Sequence, residues 1–430
     1  MKDPIFLRRN DLLSFEEAAY WKDLLYQVTK IGLELEIATP KGTEREAFEA
    51  RIREQLMPSG TLEALGTNGV LNVGPEHCGV EVRIIGRQPH FRALQRQLTT
   101  ILAILLQEGG RARPTCGLHF HLMTPGLAEP VPEIILANYW NLIRRYAPEL
   151  RFLTSCGDSR QALCRRRNHT SHLEMVRHSP ATMSMQELQQ ILKHSDTVPE
   201  HQNFFNLEHV QFNEDGKISD FHLEFRFPDA DLAPTAVTAK TFLFLAMLIK
   251  SVDLSQYGVI HVGKIEPWRR KTHLLDLLNN NDGMLATSNT SLITDEIIEE
   301  LRQGCHELLD LLIPAFERFD FNQSLEVLNY LAEHPISLLR CAGYSWQDIE
   351  TILMQRATLD DLGLDDTDRR LMMFIEVGEW THSSSVESWK WNASRELYLT
   401  PQDLEQRLEH LQYLRGLRWD TEKGTLLFTR

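Results

Sequence analysis

"CGLHFHL", residues 116–122, alternates apolar and polar positions along its whole length. Successive side chains of a strand point to opposite faces, so Cys116, Leu118, Phe120 and Leu122 fall on one side and Gly117, His119 and His121 on the other. Three more stretches share this asymmetry. In "IGLELEI", 31–37, Ile31, Leu33, Leu35 and Ile37 oppose Gly32, Glu34 and Glu36. In "VEVRII", 80–85, Val80, Val82 and Ile84 oppose Glu81 and Arg83, and in "FHLEFRF", 221–227, Phe221, Leu223, Phe225 and Phe227 oppose His222, Glu224 and Arg226. Strands of this kind with helices between them predict an α+β fold: an antiparallel sheet with helices packed behind its apolar face. The other face would gather all of these carboxylate, imidazole and guanidinium groups.

A solvated strand face ordinarily carries threonine, lysine and mixed polar residues. Here Gly32 and Gly117 stand beside charged pairs, and a bare glycine weakens a strand unless something approaches the backbone closely. Carboxylates crowded together repel one another without a cation. Oxygen ligands with an occasional imidazole suit Mg²⁺ or Mn²⁺, whereas a closed zinc site would use more histidine or cysteine. Divalent ions together with arginine are the usual means of stabilising phosphoryl transfer.

Other segments supply the organisation. Residues 15–28 and "EAFEARIREQL", 46–56, read as helices, and "TNGVLNVGPEHCG", 67–79, reads as a loop from its turn residues. Phe91, Leu94, Leu98, Ile101, Leu102 and Leu105 keep helical spacing between Pro89 and Gly109-Gly110, and 131–146 predicts another helix. The basic segment 160–178 reads as a loop or lid, with Arg165, Arg166 and Arg167 as candidates to meet phosphates or an acidic acceptor. From Ala236 onward nearly everything reads as helix. We expect a catalytic domain over 1–255 and a helical C-terminal region over 256–430, the first helices of which pack on the catalytic domain; 358–370 reads as an acidic loop.

The 430 residues are 42% hydrophobic and carry a net charge of −15, which disfavours nucleic acid and anionic membrane surfaces as partners. The start of the chain is charged, and the longest apolar run, 242–249, is short for a bilayer, so a cytoplasmic protein is expected. Six cysteines without a CxxC pair read as reduced core thiols.

In this order, "GLELE" (32–36), "GVEVR" (79–83), "CGLHFH" (116–121), "FFNL" (204–207) and "LEFRF" (223–227) resemble the amidoligase family, a branch of the glutamine synthetase-like carboxylate–amine ligases, over roughly residues 28–290. The resemblance implies a sheet that cradles ATP and two or three Mg²⁺ ions. By it, Glu34 and Glu36 bind metal and nucleotide, Glu81 and Glu224 bind metal, and His119 contacts metal or phosphate with His121 as its companion at the nucleotide. Asn206 is placed at the nucleotide and Arg226 on the transferring or acyl phosphate, while Arg166 is put at the nucleotide by the basic character of its own segment. The implied reaction passes the terminal phosphate of ATP to a substrate carboxylate, after which an amine displaces phosphate to give an amide or isopeptide bond. Glu76 or Glu81 would take the amine's proton, and the substrates would be amino acids, peptides or proteins. Asn68 departs from the family pattern, which has an acidic residue there.

Two other classes share the same residues. One is a metal-dependent hydrolase or oxygenase built on His119 and His121, although the next glutamate, Glu129, follows a proline-glycine turn that suits such a centre poorly. The other is an inactive nucleotide-binding protein whose C-terminal helices, 325–339 and 404–419, meet a protein partner; apolar stripes of that kind more often serve their own core.

Overall fold

The computed structural model describes residues 5–56, 70–113, 115–156, 183–195, 207, 209–280, 291–319, 322–358, 366–377, 383–422 and 424–428. Among the described residues, eight strands lie before residue 261: β1 (Phe6–Leu7), β2 (Lys30–Ala38), β3 (Val70–Glu76), β4 (Gly79–Arg87), β5 (Leu118–Met123), β6 (Val210–Phe212), β7 (Ile218–Phe225) and β8 (Val259–Ile260). Six of them form one sheet in the order β3–β4–β2–β5–β7–β6, every pair antiparallel, and β1 pairs with β8. The fold is α+β, as the strand patterns require.

Register follows the apolar pattern. Leu33 faces Phe120 and Leu35 faces Leu118 across β2 and β5, and these side chains are buried on the apolar face with Val80, Val82 and Ile84. A slip of one residue would turn each of them to the other side, so burial of one face specifies the pairing. The stretch 67–79, expected as a loop, contains β3 instead. Gly74 and Pro75 read as turn residues, but β3 is an edge strand, where a proline costs little. Only His77 and Cys78 separate it from β4. The strand β7 starts at Ile218 and stops at Phe225, so Arg226 stands just beyond its end.

The apolar face packs on a 21-residue helix, Pro234–Leu254, with proline in its first turn. Phe244 of this helix stacks on Phe225 with centroids 4.1 Å apart and lies 5.2 Å from Phe120. It is the one helix among the described residues long and apolar enough to cross a membrane, yet 94% of its apolar window is buried, as befits the central helix of a core. The helices Phe91–Gln107, Glu133–Arg145, Ser291–Arg318 and Asn322–Glu333 pack around it.

A charge sits within this core. Lys240 Nζ lies 2.6 Å from Asp231 Oδ2 with both side chains buried, and Asp231 also accepts the Ala233 amide. Nearby, Glu350 accepts from the amide and hydroxyl of Thr235, and burial, despite those hydrogen bonds, pushes its carboxyl up to about 7.

The chain divides into two compact units, Met1–Arg356 and Ala357–Arg430. The reason is packing: the helices of 291–333 bury their apolar faces against the central helix and so belong with the sheet. The second unit contains the helices Asp366–Val377, Val386–Glu396 and Pro401–Arg415 and a hairpin of β9 (Leu417–Asp420) and β10 (Thr425–Phe428), around Leu371, Met372, Trp389, Leu404, Leu411 and Leu426. The region after 256 is therefore not wholly helical, and the described end of the acidic stretch, from Asp366, is helix rather than loop. The stripes of 325–339 and 404–419 bury Val327, Leu328 and Leu331, and Leu404, Leu408 and Leu411, each in its own unit. Cys116, Cys156 and Cys305 are buried thiols, but Cys341 is exposed; Cys164 lies outside the described residues.

Lys240→Met should lower the urea unfolding free energy by about 3–5 kcal/mol, because it strands Asp231 as an uncompensated buried charge. The Glu350 carboxyl, raised above its ordinary value of 4.5, binds its proton more tightly in the folded chain. Stability should therefore fall as pH rises through the window from about 4.5 to 7, and Glu350→Gln should flatten that part of the melting-temperature profile.

Candidate metal centre

The polar face of the sheet is not washed by solvent. The His119 side chain is 1% exposed, Glu81 3% and Glu36 4%, while Glu34 at 22% and Arg83 at 36% open toward the rim. Strand pairing places these groups: Glu34 faces Arg83 on one side and His119 on the other, Glu36 faces Glu81, and His121 faces Glu224.

His119 is in the middle. Its Nδ1 is 2.8 Å from Glu34 Oε2 and 3.4 Å from Glu224 Oε1, and its Nε2 is 3.3 Å from Glu36 Oε1. Glu36 Oε2 accepts the Gly117 amide at 2.6 Å, and Arg226 donates to Glu224 at 2.5 Å. Arg83 is ion-paired with Glu81 and approaches Glu34 at 3.5 Å. Burial alone would raise the Glu34 carboxyl, but the hydrogen bond to His119 and the neighbouring imidazole of His121 hold it well below the usual range. Glu81 goes the other way: burial first, then the charge of Glu34, push it up to about 8.

Two groups of ligand atoms result. Glu34, His119, His121 and Glu224 each bring one to within 4.8 Å of the others, and Glu36, Glu81 and His119 do the same. Since an ion of Mg²⁺ or Mn²⁺ size spans about 4 Å between opposite ligands, modest closure would complete either position. The two nitrogens of His119 face different groups, so one ring couples both. The donor set fits a divalent cation on a further count: His121 Nε2 is buried and makes no hydrogen bond among the described residues, the nearest carboxylate oxygen, Glu34 Oε1, standing 3.7 Å away. Buried polar atoms left this way are costly unless something satisfies them. The Nε donor of Arg226 is likewise buried without a hydrogen bond among the described residues, leaving N–H capacity for an anion beside the cation positions.

The candidates for the ligase site that the structure describes stand on or beside this face. Glu34, Glu36, Glu81, His119 and Glu224 fall in the two groups. Glu76 stands where β3 turns into β4, opposite Gly79, with its carboxylate on the His77 amide; it is close enough to raise the Glu81 carboxyl. His121, expected at the nucleotide, also has a ligand atom in the first group. Asn206, Arg166 with its neighbours Arg165 and Arg167, and Asn68 lie outside the described residues. Glu129 is at the surface, bonded to Tyr20, and belongs to neither group.

A Cβ on Gly32 would sit 3.2 Å from His121 Cβ, the Ile84 carbonyl and Met123 Cε, so the bare position makes room for the protein's own atoms. His209 escaped sequence reading. It reaches the edge of the face only through the pairing of β6 with β7, where its ring stacks on His222 at 5.3 Å, and no periodicity announces such a contact.

Millimolar Mn²⁺ should raise the melting temperature of the protein; saturation at 100 times the dissociation constant is worth about 2.7 kcal/mol. A Glu34→Gln, Glu224→Gln variant should lose most of that shift, and an equal shift in both proteins would refute the cation positions.

No protein-family model matches the chain, and no curated protein does. Among solved structures, the complex between prokaryotic ubiquitin-like protein Pup and its ligase PafA aligns over 93% of this chain and 86% of that one, with a TM-score of 0.35 and 10% sequence identity. A likeness of that degree identifies neither shared chemistry nor a shared substrate.

Proposed function

We propose that the protein is an ATP- and Mg²⁺-dependent carboxylate–amine ligase, with Mn²⁺ as a substitute ion, that forms an amide or isopeptide bond on an amino acid, peptide or protein. One observation carries this reading: two cation-sized ligand groups share His119 and adjoin the guanidinium groups of Arg83 and Arg226. Glu34, His119, His121 and Glu224 would hold one ion and Glu36, Glu81 and His119 the other. Bound there, the ions would neutralise the nucleotide's phosphates during transfer.

The chain's own side chains do the remaining work. Arg226, released from β7 and tethered to Glu224, is poised to hold the oxygens of the transferring phosphoryl group, with Arg83 on the opposite side. The substrate carboxylate takes the terminal phosphoryl group of ATP and ADP leaves. The amine then attacks the acyl carbon, phosphate departs with its bonding electrons, and the amine's proton goes to a carboxylate. Glu81 lies inside the second ligand group, which leaves Glu76 at the hairpin end as the better base. Asn206 and Arg166 keep their proposed place at the nucleotide.

A one-ion hydrolase or oxygenase would need only the first ligand group. It leaves Glu36, Glu81 and both arginines without a task, which favours the ligase reading.

A screen for ATP-dependent phosphate release with pooled amines and carboxylates should give turnover that the Glu34→Ala, Glu36→Ala variant lacks. Arg226→Lys should slow it roughly 10²-fold, the usual effect of losing a fixed donor to developing charge. Equal release from wild type and the double variant would overturn the proposal.

A further inference from the structure

The proposed chemistry leaves one imidazole of the face without a role. His222 Nε2 stands 2.8 Å from Nδ1 of His121. Two ring nitrogens at this distance share a single proton, one carrying hydrogen and the other offering its lone pair. Were His222 the donor, His121 would carry its own proton on Nε2, directed among the first ligand group. That N–H would be buried beside Glu34 Oε1 at 3.7 Å, an ion-pair distance too long for a hydrogen bond. With His121 donating from Nδ1, its Nε2 presents a lone pair to the same group, which is the form of imidazole that binds a metal ion.

His222 is itself held in place. The His209 ring stacks on it with planes 24° apart, and the His222 amide donates to the His209 carbonyl at 3.2 Å. The acceptor is thus fixed by an adjoining strand and not by the ligand group it serves.

We infer that His222 is a positioning residue: by accepting the Nδ1 proton of His121 it sets the tautomer and ring plane that make His121 Nε2 a ready ligand for a divalent ion. The part concerning the ion rests on the cation reading above; the tautomer does not.

Histidine-selective ¹⁵N NMR on the metal-free full chain reads the tautomer directly, and Mn²⁺ titration followed by electron paramagnetic resonance reads the affinity. Wild type should show His121 protonated on Nδ1. His222→Leu should lose that preference and weaken Mn²⁺ binding by about 10–100-fold, the usual effect of removing a partner behind a ligand. His222→Gln, whose amide oxygen can take the place of Nε2, should restore affinity to within about threefold. Thermal melts show whether each variant is folded. Protonation of wild-type His121 on Nε2, or equal Mn²⁺ affinity in folded His222→Leu and wild type, would overturn the inference. Wild type that binds no Mn²⁺ would defeat the cation reading instead, and the wild-type tautomer would still decide the role of His222.

Discussion

The whole polar face is organised by one imidazole placed between carboxylates on both of its nitrogens. His119 meets Glu34 and Glu224 through Nδ1 and Glu36 through Nε2, with almost no exposure to water. That arrangement depends on β2 and β5 pairing so that Glu34 stands opposite His119. The apolar side enforces the pairing, because Phe120 and Phe225 can pack on Phe244 of the central helix in this register and in no neighbouring one.

Buried carboxylates repel, and the structure offsets this with compensating groups from several segments. The Gly117 amide holds Glu36, Arg83 faces Glu81 and Glu34, and Arg226 holds Glu224. The position of Arg226 depends in turn on the turn that follows β7. There the Pro228 carbonyl accepts the Leu118 amide, Asp229 accepts the Cys156 amide, and Asp231 is locked to Lys240 inside the core. The buried ion pair behind the sheet and the charged face in front of it are thus joined through four residues of chain.

Much of this was legible in the chain itself. Period-two alternation identified four strands of the sheet and sorted their side chains correctly, since a pattern of one apolar face has a single physical solution. It failed at β3, where glycine and proline signalled a turn and only the position at the sheet edge made a strand acceptable. Helical periodicity does not say which surface a helix will cover, so the packing of the helices of 291–333 on the central helix was not legible in it. His121 was legible as a face residue, but its membership of a ligand group depends on the cross-strand distance to Glu224.

The sequence by itself determined the α+β class, the strands that carry the charged residues and the face each one occupies, because alternation and burial are local constraints that act within a few residues. Tertiary structure alone decided the strand order, the sharing of His119 between two ligand groups and the contact of His222 with His121. Those depend on which strands become neighbours, and that choice is made by packing against the central helix, distant in sequence from every residue it aligns.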